Sequence, residues 1–247
     1  MGLKDLFSSG GRAKSRLDKH VKVITNPYTQ SADRYASMQS LLEDGSDEAL
    51  VGLMKRFTVV STKSIEDEEE KGWVYRELSA LGTKVLPALR QFCVESDNVA
   101  WALRILEDVA NGPQEWEIID AMLERHPPEY ARDPKTKLQV LTHLAEIDDP
   151  RVVGILLRYL GDPDEGVRYY AVEQLIDIGD ESAKEPLVTR LGHKDEDSVR
   201  LRTRILDGLA TLGWDVSTHQ QTIVANLGNE HALQKGKPEG TMKVVRR

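Results

Sequence analysis

The feature that most constrains this chain is a recurring pair of amphipathic helices. Its clearest copy has apolar residues at helical spacing on both sides of Gly179, from Val167 to Ile178 and from Ala183 to Leu191. A unit of roughly thirty residues with this pattern exposes an apolar face that it cannot bury alone, so copies must stack on one another. The pattern therefore predicts an all-α superhelix rather than a structure closed around one core.

Weaker copies extend the pattern over most of the 247 residues, and we count about six helix pairs. Asp-Pro occurs at 133–134, 149–150 and 162–163, each time just before an apolar period begins. Aspartate accepts the free amide hydrogens of a first helical turn, and proline suits a position whose N–H has no partner within the helix. These dipeptides therefore predict helix starts, independently of hydrophobicity.

The unit from Asp162 to Leu191 resembles the HEAT-like repeats of bacterial solenoid proteins, including relatives of the phycobilin lyases. The resemblance is carried by Val167-Arg168, by Leu175 and by Gly179-Asp180, and it returns between Asp195 and Leu212 with Val199-Arg200. It implies a right-handed α–α superhelix of the HEAT/armadillo type. It also implies that Arg168 and Arg200 are structural ladder residues, which bond to carbonyls and acidic groups of a neighbouring repeat. The same scaffold carries many unrelated functions, so the resemblance specifies the fold better than the activity.

The charge of the chain is distributed unevenly. The net charge is −8, yet lysine and arginine outnumber the acids at both ends, so the middle is strongly acidic. An acidic surface repels nucleic-acid phosphates and favours basic partners or plain solubility. We divide the chain into a basic N-terminal arm or cap (1–30), a HEAT-like repeat domain (31–228) and a basic, disordered C-terminal tail (229–247).

The sequence predicts a cytoplasmic protein. The start lacks the apolar stretch of a secretory signal, and no apolar run has the length of a membrane span. The single cysteine, Cys93, is flanked by apolar residues and is expected to be a small buried side chain.

A basic residue stands near the end of most predicted second helices. On the concave side of the stack these residues, with one tyrosine, form a candidate partner-binding stripe, since Tyr and Arg are enriched at protein interfaces. Its members are Lys55, Arg56, Arg90, Arg125, Arg158, Tyr159 and Arg190. Cations at helix C-termini also complement the helix dipole, and the sequence leaves the two interpretations open.

Two further segments bear on partner contacts. The connection from Thr58 to Ser64 is long for an inter-helix loop, and long loops in solenoids often carry specificity. The acidic run from Glu66 to Glu70 follows it and is expected to complement the dipole of a helix start and to stay solvated.

Enzymatic alternatives find less support in the residues. HEAT-like DNA glycosylases line a basic cleft with aromatic residues and an aspartate, and Trp116 and Asp120 share a predicted helix face. The acidic charge argues against such a cleft, and tryptophans also serve as packing residues between repeats. His143 and Glu146 lie one helical turn apart but fall far short of a metal site, so we predict no metal, no other cofactor and no catalytic residue.

The sequence is best interpreted as a non-enzymatic scaffold or adaptor that binds a protein partner on the concave face of the solenoid. A DNA glycosylase acting on alkylated bases is the alternative. Assistance to a pigment-attachment enzyme is a third hypothesis, and it follows only from the family resemblance.

Overall fold

The fold is built almost entirely of helices. The computed structural model describes residues 9–247, with side chains from Lys14 onward, and in this range it has 13 α-helices, four short 3-10 helices and a two-stranded sheet. The chain divides into two compact units, Met1–Arg125 (unit 1) and His126–Arg247 (unit 2). Each unit has its own apolar core.

Unit 1 is a stack of helix pairs in two layers. Its helices are α1 (Ser9–Ile24), α2 (Ser31–Asp44), α3 (Asp47–Met54), α4 (Ser64–Ala80), α5 (Leu86–Glu95), α6 (Ala100–Val109) and α7 (Gly112–Arg125), with 3-10 helices at Lys55–Thr58 and Gly82–Val85. The first helices α2, α4 and α6 pack side by side, and so do the second helices α3, α5 and α7. Helix α1 packs on α2 and α3, the position expected of a cap, and the first eight residues of the predicted arm lie outside the described residues.

Unit 2 repeats this arrangement. Its elements are α8 (Lys135–Ala145), α9 (Arg151–Tyr159), α10 (Glu165–Ile178), α11 (Lys184–Leu191), α12 (Val199–Leu212), α13 (Gln220–Asn226), β1 (His231–Lys235) and β2 (Met242–Arg246), with 3-10 helices at Glu181–Ala183 and Ser217–His219. Helix α10 packs between the other first helices, α8 and α12, while α11 packs against α12 and α13. From Ser31 to Asn226 the two units contain six helix pairs, which confirms the predicted all-α repeat fold.

The local chemistry of unit 2 explains where its helices begin and end. Gly179 and Gly213 end α10 and α12 in the left-handed conformation, with φ of 70° and 63°, which a residue with a side chain adopts at a cost. The Asp133 and Asp149 carboxylates accept the amide hydrogens of Lys135 and Arg151, as the Asp-Pro pattern predicts. Helix α10 starts slightly later than that pattern implies, because Asp164 rather than Asp162 is its N-cap.

The prediction of a disordered C-terminal tail is wrong. Residues His231–Lys235 and Met242–Arg246 form an antiparallel hairpin, with His231 opposite Arg246. Strand β2 packs on α12 and buries Val244. The Asp207 carboxylate of α12 holds both strands, since it lies 3.0 Å from Nε2 of His231 and accepts a 2.7 Å hydrogen bond from Nε of Arg246. The hairpin therefore covers the face on which a further first helix would stack.

Candidate functional site

Arg56 does not belong to the predicted partner-binding stripe. Its side chain is buried, and its guanidinium donates to Glu70 Oε2 (2.8 Å), to Asp67 Oδ1 (2.6 Å) and to the Val59 carbonyl (3.0 Å). The prediction fails here because two carboxylates of α4 face the end of α3. A fully buried side chain held in this way is not accessible to a partner.

The side chains of Tyr159 and Arg190 also form hydrogen bonds within the protein. Tyr159 is buried and its hydroxyl donates to the His126 carbonyl at 2.7 Å; burial raises its pKa to about 12. It is therefore a packing residue, and its assignment to the stripe is wrong. Arg190 is half-buried, and its Nε donates to Glu196 Oε2 at 2.7 Å.

The other stripe residues, Lys55, Arg90, Arg125 and Arg158, are exposed. Their role as partner contacts stays a prediction. The surroundings of Arg90 and Arg125 are not basic, because the exposed side of α5 and α7 also carries carboxylates, among them Glu95, Glu117, Asp120 and Glu124. Arg90 Nε lies 3.8 Å from Glu117 Oε1, so its charge is partly neutralised. This side of unit 1 therefore has no continuous cationic stripe.

A buried ionic network lies in the interior of unit 1. The Glu70 carboxylate accepts hydrogen bonds from both Arg34 and Arg56, with Nε to Oε2 distances of 2.8 Å in each case. The neighbouring acid Asp67 binds Arg56 and also Lys71, whose Nζ lies 2.6 Å from Oδ2. Burial opposes the ionisation of both acids, but the hydrogen bonds from these cations outweigh it and hold the pKa of Asp67 and of Glu70 below their ordinary values. Two acids of the run expected to be solvated are thus interior.

The network fixes two loops of unit 1 on the same side. Arg34 Nη1 donates to the carbonyl of Thr29, in the loop before α2, and Arg56 Nη1 donates to that of Val59, in the loop before α4. The second loop is held again by the Ser61 amide, which donates to Asp67 Oδ1 at 2.8 Å. Because both arginines bind the one carboxylate of Glu70, a single buried acid anchors both loops.

Among the described residues of unit 1, three large apolar side chains are strongly exposed, two on these loops and one in the first turn of α4. Tyr28 is 82% exposed, while Val60 and Ile65 are each 74% exposed. We call these three residues the loop edge. The exposed acids Glu68 and Glu69 flank it on α4, as does Glu66, which pairs with Lys63. The loop edge is therefore an apolar surface with an acidic border.

Unit 2 contains a counterpart of the network. Arg168 binds Glu196 through Nε and Nη2 and the carbonyls of Asp162 and Pro163 through Nη1, all at 2.9–3.1 Å. Glu196 also accepts from Arg190. Arg168 and Arg190 are separated by the same number of residues as Arg34 and Arg56. This equal spacing is a signal in the sequence from which the paired arginines of unit 1 were predictable.

The second proposed ladder residue, Arg200, has a different environment. It is exposed, stacks over the ring of Tyr169 at 4.1 Å and binds Glu165 Oε2 at 2.7 Å. Both contacts reach from α12 to α10, so Arg200 bridges adjacent first helices at the surface. Arg168, in contrast, bridges repeats in the interior.

Aromatic side chains join the first helices of unit 1. The rings of Phe57 and Trp101 are stacked 5.7 Å apart, and Tyr75 lies 6.0 Å from Trp101. The guanidinium of Arg104 covers both Trp101 (4.7 Å) and Tyr75 (5.0 Å). Because these rings contact one another and an internal cation, they act as packing between repeats.

The structure brings together no residues of the glycosylase hypothesis. Trp116 is 4% exposed and packs in the core of unit 1, whereas Asp120 on the same helix is exposed. The pair therefore does not present a stacking ring beside a carboxylate in an open cleft. His143 is buried, and among the described residues no three His, Cys, Asp or Glu side chains are grouped as metal ligands. Cys93 is buried, and burial raises the pKa of its thiol to about 12.

Comparison with known proteins identifies the repeat in part of the chain. Residues 128–206 match the family model of HEAT repeats. The matched span covers α8 to α11 and the first half of α12, so the helix pairs of unit 2 are HEAT-like. No curated protein sequence is significantly similar to the chain. None of the described helices combines the length and the apolar character that crossing a bilayer requires.

Proposed function

We propose that this protein is a non-enzymatic scaffold of the cytoplasm that binds a protein partner at the loop edge of unit 1. HEAT repeats are commonly protein-interaction scaffolds, which supports the general role. We also propose that the chain is related to the phycobilin-lyase-type proteins of bacteria. This relationship identifies no site residue.

One observation carries the proposal: Tyr28, Val60 and Ile65 are strongly exposed although the segments that bear them are anchored in the interior. Exposed apolar patches mark interaction surfaces in stable proteins, and we propose that these three side chains belong to one such patch. Anchoring by Arg34 and Arg56 limits the conformational entropy that the loops lose on binding, so more of the contact energy contributes to affinity.

The charges around the loop edge indicate the chemistry of the partner. Glu66, Glu68 and Glu69 border the apolar residues, and the whole chain has a net charge of −8. A complementary partner segment therefore has one or more apolar anchors flanked by lysine or arginine. Such complementarity raises the association rate and rejects acidic competitors, and it weakens as salt is added.

The test is a pull-down from the native cytosol that compares two triple-substituted baits with the parent. The first bait carries Tyr28→Ser, Val60→Ser and Ile65→Ser. The second is a matched control with Tyr130→Ser, Ile178→Ser and Val224→Ser in unit 2, where these residues are 82%, 44% and 58% exposed and none lines the pocket described below. We expect a protein that is retained by the parent and the control, lost from the loop-edge bait and released by salt.

The fold of each bait is verified by circular dichroism and thermal unfolding, since all six positions are exposed and a loss of fold is not expected. A partner retained equally by all three folded baits removes the loop edge as the binding surface. Recovery of nucleic acid in place of protein contradicts the scaffold hypothesis itself.

A further inference from the structure

Unit 2 contains an open pocket that none of the functions discussed above uses. It has a volume of about 580 Å³ and lies between α12 and the segment that leads from α13 into β1. This volume is in the range of sites for small ligands, which is roughly 300–1,000 Å³. The pocket belongs to unit 2 alone, so it is independent of the loop edge.

The pocket has an apolar wall and a polar wall. Val199, Leu206 and Leu227 contribute aliphatic surface, and Val199 is 73% exposed. Arg202, Thr203 and Asn229 contribute hydrogen-bonding side chains. A ligand that fits both walls has a small apolar body with a polar group at one end.

Arg202 indicates that the polar group of the ligand is an anion. One of its nitrogens, Nη2, donates to the carbonyl of Glu196, but Nε is buried and has no hydrogen-bond partner in the described part of the chain. A buried donor of a charged group without an acceptor is destabilising and is rare in folded proteins. The charge of Arg202 is thus only partly compensated within the described part of the chain.

The acids near the pocket do not supply that acceptor. The carboxylate of Glu196 is bound by Arg168 and Arg190, and that of Asp207 is bound by His231 and Arg246. Glu230 lines the pocket but, over the described residues, forms no ion pair with Arg202. The positive charge of Arg202 is therefore available to an anion that enters from solvent.

We propose that this pocket binds a carboxylate carried on a small aliphatic body. The carboxylate pairs with the guanidinium of Arg202, which lines the pocket, and a charge-assisted contact of this kind is stronger than one between neutral groups. The Thr203 hydroxyl and the Asn229 amide offer further donors, and the aliphatic body packs against Val199, Leu206 and Leu227. Two sources share this chemistry: a free aliphatic acid and the C-terminal residue of a peptide.

The experiment uses the full chain and observes Arg202 directly. The Nε–Hε resonance of Arg202 is followed by ¹⁵N NMR during titration with N-acetyl-leucine, with a short peptide ending in leucine, and with the C-terminal amide of that peptide. We expect a saturable shift with both free carboxylates and none with the amide. Tighter binding of the peptide identifies a peptide C-terminus as the ligand, and equal or weaker binding identifies a free acid.

Three variants separate binding from folding. Arg202→Met removes the donor, while Arg200→Met on the same helix removes an exposed guanidinium outside the pocket. Val199→Asp places a competing carboxylate at the pocket and leaves Arg202 intact. We expect about tenfold or greater loss of affinity for Arg202→Met and Val199→Asp, and no change for Arg200→Met.

The proposal is overturned if no carboxylate produces a saturable shift of the Arg202 resonance in the parent. It is equally overturned if the amide shifts that resonance as strongly as the free acids do, or if Val199→Asp, folded as judged by its NMR spectrum, binds like the parent.

Discussion

Glu70 is the residue on which the interior charges of unit 1 converge. Its fully buried carboxylate is the shared counter-ion of Arg34 and Arg56, and it also accepts a hydrogen bond from the hydroxyl of Ser31 at 2.9 Å. Removing one member of a buried ion pair leaves an uncompensated charge, which costs far more than the pair itself contributes to stability. Removing any one member of the network while the others remain is therefore expected to destabilise the folded protein.

Replacing Glu70 with Gln is expected to lower the free energy of unfolding by about 3–5 kcal/mol, because two guanidiniums then lose their shared counter-ion. Urea unfolding followed by circular dichroism measures the change. Glu68→Gln is the matched control in the same acidic run, and its exposed side chain makes the substitution nearly neutral. Equal stability of the two variants contradicts the assigned role of the network.

Acid is expected to destabilise the protein through the same carboxylates. The pKa values of Asp67, Glu70 and Glu196 are lowered in the folded state. Their contribution to the free energy of unfolding is therefore present above the pKa values of the unfolded chain, about 3.9 for Asp and 4.3 for Glu. It is lost as the pH falls through the lower pKa values of the folded state. The urea midpoint should therefore decrease as the pH drops below about 4. The decrease should be smaller in Glu70→Gln, and an identical pH dependence would exclude Glu70 as a contributor.

The stripe shows how far single residues are predictable from the sequence. Lys55 and Arg56 are neighbours at the end of the same helix, yet one is exposed and the other fully buried. Periodicity locates the end of a helix to within a residue or two, and one residue of rotation on a helix decides whether a long side chain faces solvent or a carboxylate. The acids that bind Arg56 belong to the next repeat, so no local sequence pattern predicts the contact.

At the scale of elements, α10 and α12 are tightly packed at Gly208. A Cβ placed on this residue would lie 2.3 Å from Cδ1 of Ile176, closer than real Cβ atoms come. Gly208→Ala is therefore expected to lower the free energy of unfolding by about 1–3 kcal/mol, as overpacking of a core does. Thermal unfolding with matched urea data measures the effect.

Gly154 is the control for this substitution. It also lies inside a helix, α9, but a Cβ there would meet no atom within 4 Å. Gly154→Ala should raise the free energy of unfolding by about 0.5–1 kcal/mol, since alanine loses less conformational freedom in a helix. A stabilising effect of Gly208→Ala would mean that the two helices are further apart than described.

Helices and strands were predictable where nearby residues in the sequence determine them. The helices of the repeat follow from apolar periodicity and capping residues such as Gly179, and they are present as expected. The hairpin was missed because its strands are only five residues long and its partners, Asp207 and the apolar side of α12, are distant in sequence. A strand stabilised by non-local contacts has no strong signature of its own.

At the scale of the whole molecule, each unit has its own core and its own ionic network. The fragment 126–247 is therefore expected to fold alone, with helical circular dichroism and a cooperative urea transition. It begins at His126, whose carbonyl accepts the hydroxyl of Tyr159. A fragment that ends at residue 229 lacks the hairpin and should unfold at lower urea. Equal midpoints would show that the hairpin adds nothing to the stability of unit 2.

The hairpin also limits how a chain of this kind gains or loses length. Repeat proteins lengthen by duplication of a helix pair, and each added pair needs the open side of its predecessor. Strand β2 already lies on α12, so a pair inserted after α13 would find that position taken. Duplications that preserve the fold must fall upstream of α12, so the hairpin acts as a terminator of the repeat array.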